Sequence, residues 1–382
     1  MNQSESYQVF RALCRRLHEN VSRQSPDLAD DILSLPASNY DDPEQFQREI
    51  DRIFLQVPLL VALSCDIPAP GDFHSINLAG RPLLIVRGDD QKARVFFNIC
   101  RHRGAALTDQ ACGHARLFVC PYHAWSYDRN GKLRGISDAQ VFGKASIDGL
   151  IELPSDENAG VIFCTLTPGQ NFDLGSWLGD MLPALESLRL ADMFPYRKTS
   201  TLASPNWKLA ADGYLDGYHL GYLHRNNIGL KSITNRNTYD IFGPHVRVGF
   251  ANKGIHQIKE KPEADWNLSE CMSLVHYIFP NVSISGGHHD TIQLSRLFPG
   301  PSVNESTTIQ HQYFRQPVEG RMVEAAEEKR ILYEQVVRDE DCKTVFEISD
   351  ALPAMADMPI IFGRNESGNQ ALHKVIRAMT EE

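Results

Sequence analysis

Asn98–Trp125, NICRHRGAALTDQACGHARLFVCPYHAW, is the stretch on which the reading of this chain turns. It holds a mirrored pair, Cys100-x-His102 and Cys120-x-x-His123, with seventeen residues between the halves. Each half mixes one thiol with one imidazole. A structural zinc site favours compact C-x-x-C-like knuckles, which this spacing does not provide. A [2Fe–2S] centre with two thiolates on one iron and two imidazoles on the other needs this stoichiometry, each loop giving one ligand to each iron. Iron–sulfur is therefore favoured over zinc. The neighbours agree: Gly104 suits a tight loop, Pro121 and Tyr122 lie between the second cysteine and histidine, and Trp125 can shield the centre.

Outward from this stretch, 382 residues leave room for two domains with real cores. The formal charge of −10 argues against nucleic-acid binding, which needs a basic surface. The best apolar run, Val57–Leu63, has the length of a strand rather than of a membrane span. The N-terminus lacks the apolar core of a signal peptide and reads as an amphipathic helix with Val9, Phe10, Leu13, Cys14 and Leu17 on one face. Eight cysteines are sparse, and six of them (Cys14, Cys65, Cys112, Cys164, Cys271, Cys342) follow no spacing logic. They read as free thiols of a cytoplasmic protein.

The chain changes character along its length. Residues 1–54 are helical, with Phe46, Ile50 and Phe54 at helical spacing behind Pro43. From 55 to 167 strand-like runs (LLVAL, HSINLAG, RPLLIVRG, ARVFFNI, ARLFVC, GVIFCTL) alternate with turn formers, which predicts a small antiparallel β domain. Residues 168–382 form the third region. Helical patterns return over Gly175–Leu188 and Ser204–His224, and alternating segments (VRVGFAN, LVHYIFPNVSIS, TIQLSRLFP, STTIQHQYFRQ) predict an antiparallel sheet. A long helix is expected over about Glu319–Ser349. Strands flanked by helices without βαβ alternation make the class α+β.

A pure electron carrier would end with the β domain; here a second constellation follows. Asp216, His219 and His224 form D-x2-H-x4-H. On a helix, 216 and 219 share a face, but 219 and 224 do not, so one metal can hold both histidines only if the helix ends or bulges, with Gly221 the plausible place. Two imidazoles and a distant carboxylate make the facial triad of non-heme Fe(II) oxygenases. The carboxylate should come from the long helix. Val337, Asp341, Val345 and Ile348 follow helical spacing, which points Asp341 along an apolar stripe, where an unpaired carboxylate is costly unless it meets a cation. Asp339 is the runner-up, and Glu340 fits a solvated charge cluster best. His288 and His289 are a weak metal pair, because adjacent strand residues point to opposite faces. Val275, Tyr277 and Phe279 mix core and pocket lining.

With CRHRGA and CPYHAW both present, the chain resembles the Rieske family, and with the second motif it resembles the α subunits of Rieske non-heme iron oxygenases, the aromatic-ring-hydroxylating oxygenases. DIPAPGDF, RPLLIVRGDD and GRNESGNQALH extend the likeness over nearly the whole chain. Respiratory Rieske proteins carry an extra cysteine in each loop; Ala105 stands where the first would fall, which places the chain with the oxygenase or ferredoxin type. The resemblance implies a Rieske domain joined to a helix-grip catalytic domain. It implies that Cys100, His102, Cys120 and His123 hold the cluster and that His219, His224 and Asp341 hold Fe(II); the family's ED pattern also favours Asp341. Asp216 would be a catalytic bridge accepting a hydrogen bond from His219 and another from His123 of an adjacent subunit. The family often has Asn before YLD; this chain has Asp212 and Gly213.

The same resemblance implies a terminal oxygenase fed with electrons from NAD(P)H. No G-x-G-x-x-G follows a strand here, so a partner reductase would bind the nucleotide, with or without a ferredoxin. A homotrimer is implied, with or without a small β subunit. Hydroxylation or dihydroxylation of an apolar or aromatic substrate is the leading reading, since such pockets are mostly apolar. A monooxygenase or demethylase acting on a non-aromatic or quaternary-amine substrate is the second. The reading from another class is an iron–sulfur electron-transfer protein without turnover, for which D-x2-H-x4-H would have no use.

Overall fold

The computed structural model describes residues 3–143, 149–288, 290–355 and 358–381. The chain forms two compact units: Phe54–Trp177 with Leu190–Asp192, and Met1–Ile53 with Leu178–Arg189 and Met193–Glu382. Among the described residues, no helix is long and apolar enough to cross a membrane.

The first unit is built on antiparallel strands. Arg81–Arg87 lies between Asp72–Leu78 and Ala93–Phe97 in a five-stranded sheet, and Leu59–Leu63 pairs with Val161–Cys164 in a second sheet. A third, three-stranded sheet contains the hairpin Leu117–Val119 and Ser126–Asp128. The LLVAL and VIFC strands are buried along their whole length, as a strand covered on both faces requires. Phe73, Leu84, Val86 and Phe96 pack in one cluster with Cys100, Cys120, Trp125 and Tyr127, so the two motif loops stand directly on a hydrophobic core.

The second unit is built on an eight-stranded antiparallel sheet. Its main path runs Phe194–Pro195, Ser306–Phe314, Thr291–Pro299, Val282–Gly286, Met272–Ile278, His245–Ala251 and Thr238–Phe242, and Ser200–Ser204 also pairs with Ser306–Phe314. LVHYIFPNVSIS is two of these strands, since a turn at Phe279–Asn281 folds it back on itself. The N-terminal helix Gln3–Ser22 buries Phe10, Leu13, Cys14 and Leu17, with Val9 at the edge of the buried face. All eight cysteines are free thiols.

The helix Trp207–Leu215 carries the chain toward the second motif. Asn206 caps it by accepting the Lys208 N–H at 2.9 Å. Glu49 accepts from Lys208 Nζ at 2.6 Å and from Trp207 Nε1 at 2.8 Å, and both members of that ion pair are buried. Three expected helices are different in the structure. Gly175–Leu188 splits into Leu174–Leu178 and Met181–Leu188, with Gly179 in the left-handed region between them. Ser204–His224 is helical only from Trp207 to Leu215. The long C-terminal helix is Arg321–Val336 and Lys343–Ala351 joined by a π turn over Val337–Cys342. The extra residue in that turn rotates the helix beyond it, so the proposed stripe does not continue, and Ile348 is exposed.

Candidate metal centres

Cys100 and Cys120 sit in two loops of the same design. In each, the cysteine carbonyl accepts from the N–H four residues on, Gly104 at 2.9 Å and Ala124 at 3.0 Å. In each, the cysteine N–H donates to the carbonyl five residues on, Ala105 at 2.8 Å and Trp125 at 2.8 Å. Gly104 and Ala124 both take positive φ, 80° and 56°, which turns each loop back on itself. Glycine adopts this freely; Ala124 does so at a cost that the flanking hairpin bears.

The loops bring both thiols and both imidazoles to one place. Cys100 and Cys120 are buried, and the His102 and His123 rings lie 4.6 Å apart. The Nδ1 atoms of both histidines are buried with no hydrogen-bond partner among the described residues. Two buried ring nitrogens without partners, in the same two loops as two buried thiols, are a donor set for a cluster, and burying them without one would cost free energy. Trp125 stacks on His102 at 4.9 Å and Tyr122 lies 3.7 Å from the His123 ring, so aromatic faces cover both imidazoles. The Tyr127 hydroxyl accepts from the Arg101 N–H at 3.0 Å and lies 3.3 Å from Cys100 Sγ, placed to donate to a thiolate. Burial and the neighbouring His123 and Arg103 charges hold His102 below its ordinary imidazole value, which favours the neutral form a metal requires.

The second motif leaves the helix before its first ligand. Asp216 is the C-cap of Trp207–Leu215, with φ −88° and ψ 120°, and the chain from 216 to 227 runs as bends and turns. Glycines explain this. A Cβ on Gly217 would collide with the Asn237 amide, and one on Gly221 with the Thr234 hydroxyl, so the loop packs backbone against side chain where no other residue fits. Asp216 and His219 are therefore not neighbours on a helical face. They still meet, because the loop turns: His219 Nδ1 lies 2.9 Å from Asp216 Oδ2, and Asp216 Oδ1 accepts the Tyr218 N–H at 2.5 Å.

His219, His224 and Asp341 form a group whose ligand atoms all lie within 4.8 Å of one another. His219 Nε2 and His224 Nε2 are 3.2 Å apart, and Asp341 Oδ1 is 3.2 Å from His224 Nε2 and 3.7 Å from His219 Nε2. Each outer nitrogen faces a carboxylate: His219 Nδ1 faces Asp216, and His224 Nδ1 faces Glu340 Oε2 at 2.6 Å. Those carboxylates assign the ring proton to Nδ1 in both imidazoles. With that tautomer two Nε2 lone pairs and a carboxylate oxygen converge, a donor set that one cation can share. Burial lowers the affinity of His224 for a proton, but the Asp341 and Glu340 carboxylates outweigh it and hold its value above the ordinary one.

Glu340 is the residue that sequence reasoning missed. Rather than joining a solvated cluster, it takes Nδ1 of His224 on one oxygen and donation from Asn227 Nδ2, at 2.6 Å, on the other. The π turn lets consecutive residues Glu340 and Asp341 serve the same imidazole from opposite sides. Asp339 points elsewhere and pairs with Arg338 at the surface, 58% exposed. His288 is buried with Nε2 2.9 Å from the Met272 carbonyl, and its ring meets Phe10 edge-on; His289 lies outside the described residues. Glu340→Ala is expected to weaken divalent-metal binding at the His219/His224/Asp341 group roughly 10–100-fold, measured by chelator competition, whereas Glu340→Gln, which keeps an acceptor for His224, should lose less.

Residues 57–144 match the family model described as the Rieske [2Fe-2S] domain, and residues 190–382 match the ring hydroxylating alpha subunit (catalytic domain). The chain is 32% identical over 196 residues to the glycine betaine monooxygenase oxygenase subunit of Chromohalobacter salexigens, covering 50% of this chain and 43% of that one. It is 28% identical over 278 residues to the 2-aminobenzenesulfonate 2,3-dioxygenase subunit alpha of an Alcaligenes species, covering 71% and 67%. The aligned part thus spans less than half of the first relative and about two thirds of the second. In fold it is similar to a quaternary ammonium Rieske monooxygenase solved with L-carnitine, with a TM-score of 0.77 over 93% of this chain and 97% of that one at 19% identity.

Proposed function

Because the chain belongs to the ring-hydroxylating alpha-subunit family and carries a Rieske [2Fe-2S] domain, we propose that it is the terminal oxygenase component of a multi-component Rieske system. Residues 55–167 would form the domain that holds the cluster, through Cys100, His102, Cys120 and His123. Residues 168–382 would form the catalytic domain that holds mononuclear Fe(II) through His219, His224 and Asp341, with residues 1–54 packed on it. The observation that carries this reading is the convergence of His219 Nε2, His224 Nε2 and Asp341 Oδ1, three candidate ligand atoms that all lie within 4.8 Å of one another. An electron carrier would have no use for that group, which argues against the non-enzymatic alternative.

When bound, the cluster supplies single electrons and the iron supplies the centre at which dioxygen is reduced and its oxygen passed to the substrate. The chain's own residues do the rest. Asp216 and Glu340 fix the ring proton on Nδ1 of His219 and His224 and so keep both Nε2 atoms as ligands. His219 and Asp341, each partly exposed, leave a side of the group open, while His224 is buried. Electrons would come from NAD(P)H through a partner reductase, with or without a ferredoxin, and a homotrimer would set one subunit's cluster beside its neighbour's iron.

The relatives' names span a quaternary-amine monooxygenase and an aromatic dioxygenase, so both hydroxylation and dihydroxylation are supported as outcomes. The purified protein should be brown, with the low average g value of a Rieske centre and about three iron and two sulfide per subunit. With a reductase and substrate it should release a product labelled from 18O2, and one or two labelled atoms separate the two outcomes. Zinc without sulfide at the cysteines would overturn the reading.

A further inference from the structure

The strand Ser306–Phe314 is built inside out. Its buried positions alternate as Ser306, Thr308, Gln310 and Gln312, while apolar Ile309 faces the more exposed side. Buried polar groups are normally hydrogen-bonded, so a buried polar strand face is the informative exception. Strand pairing extends it: Gln310 lies opposite Ser295, Ser295 opposite Ser283, and Gln312 opposite Gln293, all on one face of the sheet. Gln310, Gln312, Ser283 and Ser295 are each at most 3% exposed. Among the described residues, Ser283 Oγ, Gln293 Oε1, Gln310 Oε1 and both side-chain polar atoms of Gln312 have no hydrogen-bond partner.

This face looks onto the elements that carry the metal group. Ser200, opposite Gln310, donates to Glu334 of the helix Arg321–Val336 at 2.7 Å. Ser204, on the same face of that strand, lies 3.7 Å from Cys342 Sγ, next to Asp341. Gln310 Nε2 donates to the Tyr214 hydroxyl at 3.4 Å, and Tyr214 lies two residues before Asp216, at the end of its helix. Burial, with the Asp341 carboxylate nearby, pushes that hydroxyl up to about 12, so it stays a neutral donor.

We infer that Gln310, Gln312, Gln293, Ser283, Ser295 and Tyr214 form a polar wall beside the elements that carry the His219/His224/Asp341 group, and that this wall selects a polar substrate. Its buried part would carry both hydrogen-bond donors and acceptors. This rests on the oxygenase reading and narrows it. A hydrocarbon would leave the amides unsatisfied, the situation in which a hydrogen-bonding site rejects an analogue most strongly. A trimethylammonium head has no N–H to offer the amide oxygens. On this inference a wall of amides and hydroxyls would replace part of the apolar lining that the sequence leads one to expect.

The test uses protein whose cluster spectrum and iron content have first been verified, so failure of the oxygenase reading shows before any probe is added. Calorimetric binding is compared within pairs of similar shape: benzamide against toluene, and 2-naphthol and 2-naphthamide against naphthalene. The wild type should prefer a polar member by at least about tenfold. Gln310→Leu with Gln312→Leu should reverse or erase that preference while iron content is unchanged. The melting temperature should hold or rise, because the exchange removes unsatisfied buried amides. Preference for the hydrocarbons, no binding by any polar member, or an unchanged preference in the variant would overturn the inference. A melting temperature lowered by several degrees would do the same, since it would mean that the amides hold the fold together.

Discussion

Asp341→Ala is expected to lower total iron from about three to about two per subunit and to abolish oxygenated product, with the Rieske spectrum unchanged. The reason is geometric. Asp341 Oδ1 is the one carboxylate oxygen among the described residues that faces the inner nitrogens of both His219 and His224, at 3.7 and 3.2 Å. Glu340 faces the outer nitrogen of His224 instead, where it can orient the ring but cannot reach the same ion. Asp339 faces away, paired with Arg338 in solvent. The three neighbours therefore separate into three phenotypes. Asp341→Ala should lose iron and product, Glu340→Ala should bind iron more weakly, and Asp339→Ala should behave as wild type, because an exposed ion pair contributes little. Iron is counted by metal analysis, the cluster by its visible and EPR spectra, and turnover by product release. Retained activity in Asp341→Ala together with loss in Asp339→Ala would reverse the assignment.

How much of the fold and the site was legible in the sequence depended on how local the signal is. The cluster loops were legible because ligand type, spacing and the turn glycine all lie within one stretch of chain. The structure adds what residue letters do not carry: Ala124 takes the left-handed conformation of Gly104, which makes a Cys-x-His loop and a Cys-x-x-His loop equivalent in hydrogen bonding. The D-x2-H-x4-H triplet was legible as a candidate site, with His219 and His224 as candidate ligands and Asp216 as candidate bridge, but not as a shape. Helical spacing suggested a shared face for Asp216 and His219, whereas the helix ends at Leu215 and glycine packing against Asn237 and Thr234 forms the turn that joins them.

Two features were not legible at all. The π turn over Val337–Cys342 has no letter of its own. By adding one residue it sends Glu340 and Asp341 to the same imidazole, and it breaks the apolar stripe that, beside the family's ED pattern, points to Asp341. The inverted strand Ser306–Phe314 alternates as a strand should, but which parity faces inward depends on the layer packed against it. The default assumption that apolar positions face inward fails for Ile309 and Gln310. Such conflicts between local pattern and fold tend to collect where function demands them, and both lie in the unit that carries the metal group.

Replacing Asp216 is expected to uncouple the two metal sites while leaving each intact. In the structure its Oδ2 meets His219 Nδ1 at 2.9 Å and its Oδ1 accepts the Tyr218 N–H at 2.5 Å. Both oxygens are thus engaged, yet each carboxylate oxygen has two lone pairs, so Oδ1 retains capacity for one more donor. By family resemblance that donor would be His123 of an adjacent copy, whose Nδ1 is buried without a partner among the described residues and whose other ring nitrogen is the one left to reach outward. The hydrogen-bonded path would then run from cluster to His123, Asp216, His219 and iron. Asp216→Ala removes the bridge outright. Asp216→Asn keeps the size but offers one acceptor where two N–H groups now point, so its amide nitrogen must face a donor. In both variants iron, sulfide and the resting spectrum should match wild type, and the reductase should still reduce the cluster. Reoxidation of the reduced cluster by dioxygen with substrate present should slow by orders of magnitude, and product should disappear. A merely structural aspartate would show the opposite order of loss: iron content and melting temperature would fall first, and any protein still loaded would reoxidise at the wild-type rate. Single-turnover reoxidation in the loaded variant is therefore the measurement that decides, and a rate equal to wild type would return Asp216 to the role of a helix cap.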